Sequence, residues 1–364
     1  MIIVGLGGLQ NEPACAVLKD GVLASAVEQK KVSRRHEPGE LPVDAIASAL
    51  ELARVSPDKV ACVALVRPFA AGQESDVHLA LRARFPSARL LLVEHHTAHA
   101  ASVFFASPFQ QATVLTLDRI GDFRCGARWQ GEGNDLRLEK ELYYPDSLGD
   151  LYGRVTELLG FRANADEHKV QWLSTSGDPE TYAPVFDDIF GGGDWPCLDR
   201  SFFDANRISQ GGFSAKFYHR LGLEDGAAIP ESMSSALAAA VQRRIERTVL
   251  CMAGAGDNIC LAGGLGYNAL LVNALEQHKN VFVQPAAGNA GTAIGAVLHA
   301  WHGVYRESRR TSLADMCLGP AFSAEEIKRV LENCKLRFHY LITTEELVES
   351  AVRLPLTPAP RSQF

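Results

Sequence analysis

The chain has 364 residues, of which 47% are hydrophobic and 22% charged, and it carries a formal net charge of -7. This composition predicts a soluble globular protein large enough for two domains, and the acidic balance argues against a nucleic-acid-binding surface. Neither a signal peptide nor an apolar run of membrane-spanning length is expected from the sequence, so no membrane contact is predicted.

The first hundred residues predict the order β-β-β-α-β-α-β. A strand over residues 2–6 precedes a hairpin over 14–27, where Lys19-Asp20-Gly21 supplies the Asp-Gly step typical of a tight turn. The elements predicted next are a helix near 43–54, a strand over 60–66, a helix near 74–84 and a strand over 90–93.

A histidine cluster follows that last strand directly. His95 and His99 lie four residues apart, so on a helix they project from one face, which is the spacing with which two imidazoles hold one cation. Such a pair also occurs often as a polar pair without metal. Its position at the carboxyl end of a strand, where α/β folds bind ligands, favours the metal site.

The strand pattern then restarts after the histidines. Residues 112–117, 125–130 and 136–138 predict three more strands, and Asp118 follows the first of them on rigid backbone, where it could supply a third ligand. A duplicated unit of this kind predicts an α/β fold of the actin-like (ASKHA, RNase H-like) class, with two lobes around a central cleft.

Residues 147–255 predict a mainly helical insertion. Helix 233–253 carries apolar residues at helical spacing, so it is interpreted as a core helix. Two glycine-rich turns follow, each after an apolar strand (258–262 and 281–283) and each before a helix (near 267–277 and over 291–301). Such turns favour contact with an anion or a nucleotide, although tight packing also explains paired glycines.

Seven motifs in order make the chain resemble the O-carbamoyltransferases of the nodulation and antibiotic-tailoring type. The large domain of that family resembles the tRNA threonylcarbamoyladenosine synthase subunit of the actin-like superfamily. The resemblance covers roughly residues 1–350. Its matching segments are Val27-Glu28 to Arg34, His95-His96-Thr97-Ala98-His99-Ala100, Leu115-Thr116-Leu117-Asp118, Ser147-Leu148-Gly149 with Leu159-Gly160-Phe161, Lys169-Val170, Leu261-Ala262-Gly263-Gly264 and Gln284-Pro285-Ala286-Ala287-Gly288 with Gly291-Thr292-Ala293.

The resemblance implies a two-step reaction. Carbamoyl phosphate and ATP give carbamoyl adenylate in a smaller carboxy-terminal domain, and the actin-like domain transfers the carbamoyl group to the hydroxyl of a small-molecule acceptor with the help of a divalent metal, iron by the same resemblance. It implies that His95, His99 and Asp118 are catalytic metal ligands. The residues that it implies for the ATP or carbamoyl adenylate cleft are Lys169, Gly263, Gly264, Asn268, Gly288 and Gly291.

The chain departs from the family pattern at several places. Asn289 stands where the family has an Asp, so a neutral amide oxygen is the fourth metal ligand that the resemblance implies. Arg119 replaces a Gly, and a cation beside Asp118 would compete with a bound metal. Asn11-Glu12 replaces an early His-Asp pair, and Gln171-Trp172 opens a segment that differs from the family motif.

The predicted domains are a first lobe over 1–110, a second lobe over 111–310 and, over 311–364, the start of a carboxy-terminal region with a Pro-rich, disordered tail. The adenylate-forming domain is missing from this sequence, so the resemblance implies either that carbamoyl adenylate comes from a separate polypeptide or that the chain is a truncated product. A homodimer or a partner subunit is a further possibility. A non-catalytic relative that binds a nucleotide or a partner stays open, whereas a sugar kinase is disfavoured because it needs no helical histidine pair.

The eight cysteines form no CxxC pair, and several lie in apolar segments. Reduced thiols and a cytoplasmic location are therefore predicted.

Overall fold

The computed structural model describes residues 1–34, 37–67, 74–121, 123–191, 195–308, 313 and 316–353. They divide into two compact units, Met1–Gly319 and the part that begins at Pro320. Among the helices of these residues, none combines the length and apolar content that a membrane span requires.

Sheet 1 contains five strands in the order β3-β2-β1-β4-β5. Strands β1 and β2 pair antiparallel, as do β2 and β3, whereas β4 pairs parallel with both β1 and β5. The bounds of its strands are β1 Ile2–Gly7, β2 Ala14–Lys19, β3 Val22–Glu28, β4 Cys62–Val66 and β5 Arg89–Val93. The helices along this half are α1 Gln29–Val32, α2 Val43–Leu52, α3 Glu74–Arg84 and α4 His95–Phe104.

Sheet 2 repeats this plan with the order β10-β9-β6-β7-β8. Its first three strands pair antiparallel, and β9 pairs parallel with both β6 and β10. Its strands are β6 Gln111–Gly121, β7 Arg124–Glu132, β8 Asp135–Tyr143, β9 Asn258–Ala262 and β10 Asn280–Val283. Two sheets of one topology confirm the predicted duplicated actin-like α/β fold.

The segment between β8 and β9 is helical, as predicted. Its α-helices are α5 Leu148–Leu158, α6 Glu167–Ser174, α7 Ala183–Phe190, α8 Ala215–Arg220 and α9 Glu231–Ala253. Helix α9 buries Leu237, Val241 and Ile245 in the core that also contains Leu115 and Leu117 of β6. Its interpretation as a core helix is therefore confirmed.

Helices α4 and α11 (Thr292–Leu298) pack against each other between the sheets. A Cβ on Gly295 of α11 would stand 1.8 Å from the carbonyl oxygen of Ala98 on α4, and a Cβ on Gly5 of β1 would stand 2.2 Å from that of Ala293. Only glycine allows backbones to approach this closely. This packing ties the histidine helix to both sheets, and the alternating side chains of β6 place α4 on one face of sheet 2 and α5 on the other.

Several boundaries differ from the predicted ones. Strand β6 continues past 117 to Gly121, and the helix predicted over 291–301 becomes a π-helical segment at His299–Val304. The helix predicted near 267–277 is shorter: a 3-10 turn, Gly264–Tyr267, precedes α10, Ala269–Glu276, because Asn268 caps the helix with its side chain.

The second unit contains α12, Ala324–Asn333, and α13, Thr344–Arg353. The sequence analysis missed α12, although Ser323 and Glu326 form a capping box at its start. The tail over 354–364, predicted to be disordered, lies outside the described residues. The predicted lobe boundaries at 110 and 310 stay a prediction.

Candidate metal centre

The first turn of α4 aims two imidazoles in one direction. Glu94 caps the helix, because its carboxylate accepts hydrogen bonds from the backbone N–H groups of His96 (3.0 Å) and Thr97 (2.7 Å). The helix therefore begins at His95, as its sequence position after β5 predicted. His95 and His99 lie one turn apart with ring centroids separated by 4.6 Å.

Asp118 meets both imidazoles. Its Oδ2 lies 3.0 Å from His95 Nε2 and 3.3 Å from His99 Nε2. The side chain of His99 is 1% exposed, that of Asp118 12% and that of His95 14%, so the cluster is largely shielded from solvent. Among the described residues, these three form the one group of His, Cys, Asp or Glu side chains whose possible ligand atoms lie within 4.8 Å of one another.

Asp118 reaches this position because β6 is irregular there. Parallel pairing with β9 ends at Thr116, and the register with β7 shifts between Leu117 and Gly121. Asp118 thus lies inside a strand that continues, and the prediction that it follows the strand end was wrong. The irregular pairing leaves its carboxylate available, with Oδ1 accepting a hydrogen bond from the backbone N–H of Arg119 at 2.8 Å.

Burial and mutual contact govern the charges of the cluster. Burial lowers the pKa of His99, whereas the close contact with the Asp118 carboxylate opposes this effect, and the neighbouring His95 lowers the pKa further. Burial alone would raise the pKa of Asp118, but the close contacts with His95 and His99 outweigh it and hold that pKa well below its ordinary value. The carboxylate is charged, and a buried imidazole faces it.

The residues present fit a cation. Both ring nitrogens of His99 are buried, and among the described residues neither makes a hydrogen bond of acceptable geometry. Buried polar atoms are rarely left in this state, so such atoms indicate a missing partner. Two imidazoles and one carboxylate form a donor set that suits ferrous iron and other transition-metal dications. Their role as ligands stays a prediction that this geometry supports.

His96 supports the cluster from behind. It is fully buried, its Nδ1 lies 2.9 Å from Thr116 Oγ1, and its Nε2 lies 3.0 Å from the carbonyl oxygen of Arg124. Because a carbonyl can only accept, Nε2 carries the proton and Nδ1 accepts from the Thr116 hydroxyl. Burial, followed by the nearby His95 and His99, lowers the pKa of His96 well below its ordinary value.

Arg124 connects the residues that support the cluster. Its guanidinium pairs with Glu94 at 2.9 Å and also contacts Glu141 of β8. The carboxylate that caps α4 is therefore held by the same residue whose backbone carbonyl receives His96. The start of β7 and the start of α4 are locked together around the cluster.

Arg119 does not direct its charge at Asp118. Its Nε donates to Asp150 Oδ1 at 3.0 Å, on α5. The hydroxyl of Ser147 donates to the carbonyl oxygen of Arg119 at 2.7 Å, which fixes the backbone as well. The expected competition between this guanidinium and a metal on Asp118 is thereby reduced, because the guanidinium pairs with the buried carboxylate of Asp150 instead.

The glycine turn after β9 lies against the carboxylate. Gly263 adopts φ +94°, and a Cβ there would stand 2.2 Å from the carbonyl oxygen of Leu117. A Cβ on Gly264 would stand 3.1 Å from Asp118 Oδ1. Close packing against β6 is one requirement for these glycines, and their predicted contact with adenylate stays a prediction.

The second glycine turn carries Gly288, Asn289 and Gly291. A Cβ on Gly291 would stand 1.9 Å from the carbonyl oxygen of Ala286, so packing requires that glycine as well. Asn289 begins a 3-10 turn, and its Oδ1 is buried without a hydrogen-bond partner among the described residues. Asn289 therefore offers an available oxygen, and its metal contact stays a prediction.

Two other predicted cleft residues have protein partners. Asn268 is buried, accepts from the backbone of Leu271 at 3.0 Å and exchanges hydrogen bonds with Gln242. Lys169 of α6 pairs with Asp166 at 2.9 Å and is 47% exposed. These contacts give Asn268 a structural role in capping α10, and neither residue is among the three that converge at the cluster.

Sequence reasoning missed an acidic and aromatic group at the second glycine turn. The site of a Cβ on Gly288 lies 2.9 Å from Glu12 Oε2 and 3.2 Å from the hydroxyl of Tyr267. Burial raises the pKa of Tyr267, and the charges of Glu12, Glu28 and Asp118 raise it further. The departure from the family pattern at Asn11-Glu12 was the one signal in the sequence that pointed to Glu12.

Comparison with known proteins shows which families and structures this chain is similar to. A family model described as Carbamoyltransferase N-terminus matches residues 77–298. An uncharacterized protein of Synechocystis sp. is 29% identical over 94% of this chain and 65% of its own length, and nodulation protein NolNO of Sinorhizobium fredii is 27% identical over 86% and 50%. The structure of (R)-2-hydroxyglutaryl-CoA dehydratase component A of Acidaminococcus fermentans aligns with a TM-score of 0.49 at 14% identity, covering 82% of this chain and 97% of its own.

The chain spans about half to two-thirds of the length of these curated relatives.

Proposed function

Because the chain belongs to the carbamoyltransferase family, we propose that it is the transfer domain of an O-carbamoyltransferase. It moves a carbamoyl group from carbamoyl adenylate to the hydroxyl of a small-molecule acceptor. The observation that carries this proposal is the convergence of His95, His99 and Asp118 at one shielded point, with the ring nitrogens of His99 lacking hydrogen bonds among the described residues.

The three side chains would hold a divalent metal, with iron favoured by the donor set. Such a cation would polarise the carbamoyl carbonyl and stabilise the negative charge that develops as the acceptor hydroxyl attacks. Asn289 Oδ1 is proposed as a further, neutral ligand, because it is buried without a partner among the described residues. His96, Thr116 and Arg124 keep the helix start and the strand in register.

The two glycine turns are proposed to border the donor. Gly264 is exposed beside Asp118, and the turn over 288–291 brings Gly288 next to Tyr267. Backbone N–H groups at such turns can approach a phosphoryl oxygen closely, because no side chain intervenes. Lys169 is proposed to add a positive charge near the adenylate when it exchanges Asp166 for the ligand.

The donor is proposed to be made elsewhere. Relatives of this chain are longer than the part that it matches, and activation of carbamoyl phosphate by ATP is assigned to a further domain or a separate polypeptide. In this scheme, the present chain supplies the transfer site.

Elemental analysis of the purified chain tests the metal. About one iron or other transition-metal ion per chain is expected, with loss in His95→Ala and Asp118→Ala and retention in His219→Ala, an exposed histidine outside the cluster. Transfer is then measured with radiolabelled carbamoyl phosphate, ATP and the adenylate-forming domain of a longer relative, over a panel of hydroxyl compounds. A chain that binds no metal and transfers no label would sink the proposal.

A second candidate is a non-catalytic relative that binds metal and nucleotide. The neutral Asn289 at the place of a charged ligand favours it, because a weaker metal site gives weaker polarisation. Metal binding together with an absence of transfer to any acceptor would select this candidate.

A further inference from the structure

Glu12 and Tyr267 meet at the second glycine turn, on either side of a space that a glycine keeps open. A Cβ on Gly288 would stand 2.9 Å from Glu12 Oε2 and 3.2 Å from the hydroxyl of Tyr267. Gly288 adopts φ -75°, which any residue can adopt, so its backbone conformation does not require glycine. The glycine instead leaves room for the carboxylate and the hydroxyl.

The turn that contains Glu12 lies directly on the segment of Asn289. The backbone N–H of Glu12 donates to the carbonyl oxygen of Gly8 at 2.8 Å, and Gly8 adopts φ +68°. A Cβ on Gly8 would stand 3.1 Å from the carbonyl oxygen of Asn289. The turn between β1 and β2 is therefore packed against the residue whose side-chain oxygen is proposed as a metal ligand.

A short 3-10 turn, Gly264–Tyr267, connects this pair to the metal cluster. A Cβ on its first residue would stand 3.1 Å from Asp118 Oδ1, and Tyr267 is its last residue. Burial raises the pKa of Tyr267, a hydrogen bond with the backbone of Gly288 opposes this, and the charges of Glu12 and Asp118 raise the pKa further. The carboxylates of Glu12 and Asp118 thus act on the same hydroxyl group.

The carboxylate of Glu12 has no protein partner. It is half-buried, and it makes neither an ion pair nor a hydrogen bond with the other residues that the structure describes. Carboxylates removed from water usually have a partner, as Asp118 and Asp150 do, because burial disfavours an unpaired charge. Tyr267 beside it is 53% exposed, so a molecule from solvent can reach the pair.

We propose that Glu12 is the base that takes the proton of the acceptor hydroxyl during carbamoyl transfer, a role that rests on the proposed function. As the acceptor oxygen forms its bond to the carbamoyl carbon, its proton passes to the Glu12 carboxylate. The bond between that carbon and the phosphoryl oxygen breaks, AMP leaves with the electron pair, and Glu12 then releases the proton to solvent. Glu12 repels an anionic phosphoryl group, whereas a neutral hydroxyl can donate a hydrogen bond to it.

Transfer kinetics test this role in the full chain, with the adenylate-forming domain in excess and the most active hydroxyl compound of the panel as acceptor. Glu12→Gln is expected to lower kcat by roughly 10²- to 10⁴-fold, the usual contribution of a general base. The KM for the acceptor should change little, because the amide keeps the size of the side chain and a hydrogen-bonding oxygen. Glu51→Gln, at an exposed position of α2, is the matched control and should leave kcat unchanged.

A second variant distinguishes a base from a structural side chain. Glu12→Ala is expected to regain part of its lost kcat when sodium formate is added, because a small carboxylate can enter the vacated space and take the proton. Sodium chloride at the same concentration should restore nothing. Metal content and thermal unfolding are measured for every variant.

The outcomes separate this role from the proposed function. A lower kcat in Glu12→Gln at unchanged metal content supports the base. A kcat equal to that of the unaltered chain overturns it, as does a loss of kcat that follows a loss of metal. If the unaltered chain itself transfers no label, the proposed function and the base both fail, whereas transfer that survives Glu12→Gln defeats the base alone.

Discussion

Gly121 borders the imidazole of His95 so closely that a side chain would displace it. A Cβ on Gly121 would stand 2.2 Å from His95 Cδ2 and 2.8 Å from His95 Nε2. The irregular end of β6 therefore lies directly against the ring of His95, one of the proposed ligands, which also contacts Asp118 of the same strand. The position of His95 depends on the absence of a Cβ at 121.

Gly121→Ala is expected to weaken metal binding by roughly 10- to 100-fold, the range found when groups that orient a ligand are altered. The added methyl group pushes the His95 ring away from Asp118 and His99. Binding is measured by competition with a chromophoric chelator. Gly153→Ala is the control, because its Cβ would meet only Ala163, at an ordinary 3.7 Å. Unchanged affinity in Gly121→Ala would show that His95 is no ligand.

Asn289→Asp is expected to strengthen metal binding by roughly tenfold, because a charged carboxylate replaces a neutral amide oxygen. The buried Oδ1 of Asn289, which has no partner among the described residues, is the group that changes. The same chelator competition measures the gain. Asn206→Asp adds an equal charge at an exposed position and should leave the affinity unchanged. Equal metal affinities for both variants would show that Asn289 is not a ligand in the proposed metal site.

Local sequence patterns predicted the cluster's members but not their surroundings. The spacing of His95 and His99 follows from helical periodicity, and the order of the strands predicted that Asp118 lies near them, although not that β6 continues past Asp118. The contacts of His96 could not, because they depend on the register that brings Thr116 and Arg124 to it. Register is a property of strand pairing rather than of local sequence.

The partner of Arg119 also could not be predicted from local sequence. Sequence proximity to Asp118 predicted competition between its charge and a metal, whereas the fold supplies Asp150, 31 residues later, as its partner. The duplicated topology, in contrast, could be predicted because each strand carries its own apolar pattern and each turn its own glycine. The fold and the members of the cluster could thus be predicted from the sequence, whereas the charge balance around the cluster could not.

The cysteines offer a test of the fold that is independent of function. Cys15, Cys62, Cys125 and Cys260 are buried, whereas Cys197, Cys251, Cys317 and Cys334 are exposed. Burial raises the pKa of Cys15 and of Cys125 to about 12, so their thiolates form only in strong alkali. At pH 8 we expect four fast-reacting thiols toward Ellman's reagent and eight after denaturation. Rapid reaction of all eight without denaturant would contradict the described packing.

The buried contact between His96 and Thr116 is expected to stabilise both the fold and the proposed metal site. His96→Phe leaves the Arg124 carbonyl and the Thr116 hydroxyl without this partner, which should cost about 1–3 kcal/mol in the free energy of unfolding. Thr116→Val removes the hydroxyl that donates to His96 Nδ1, and a smaller loss is expected. Urea denaturation measures both variants and the double variant.

The unfolding free energies of the two single variants and the double variant form a double-mutant cycle, which distinguishes a specific His96–Thr116 hydrogen bond from general packing. If the Thr116 hydroxyl acts through His96, the double variant should be less destabilised than the sum of the single changes, because the second change removes a bond already lost. Metal affinity should fall in both single variants by a similar factor, since each loosens the same start of α4. Additive unfolding energies with unchanged metal affinity would mean that His96 fills space in the core and orients neither imidazole of the cluster.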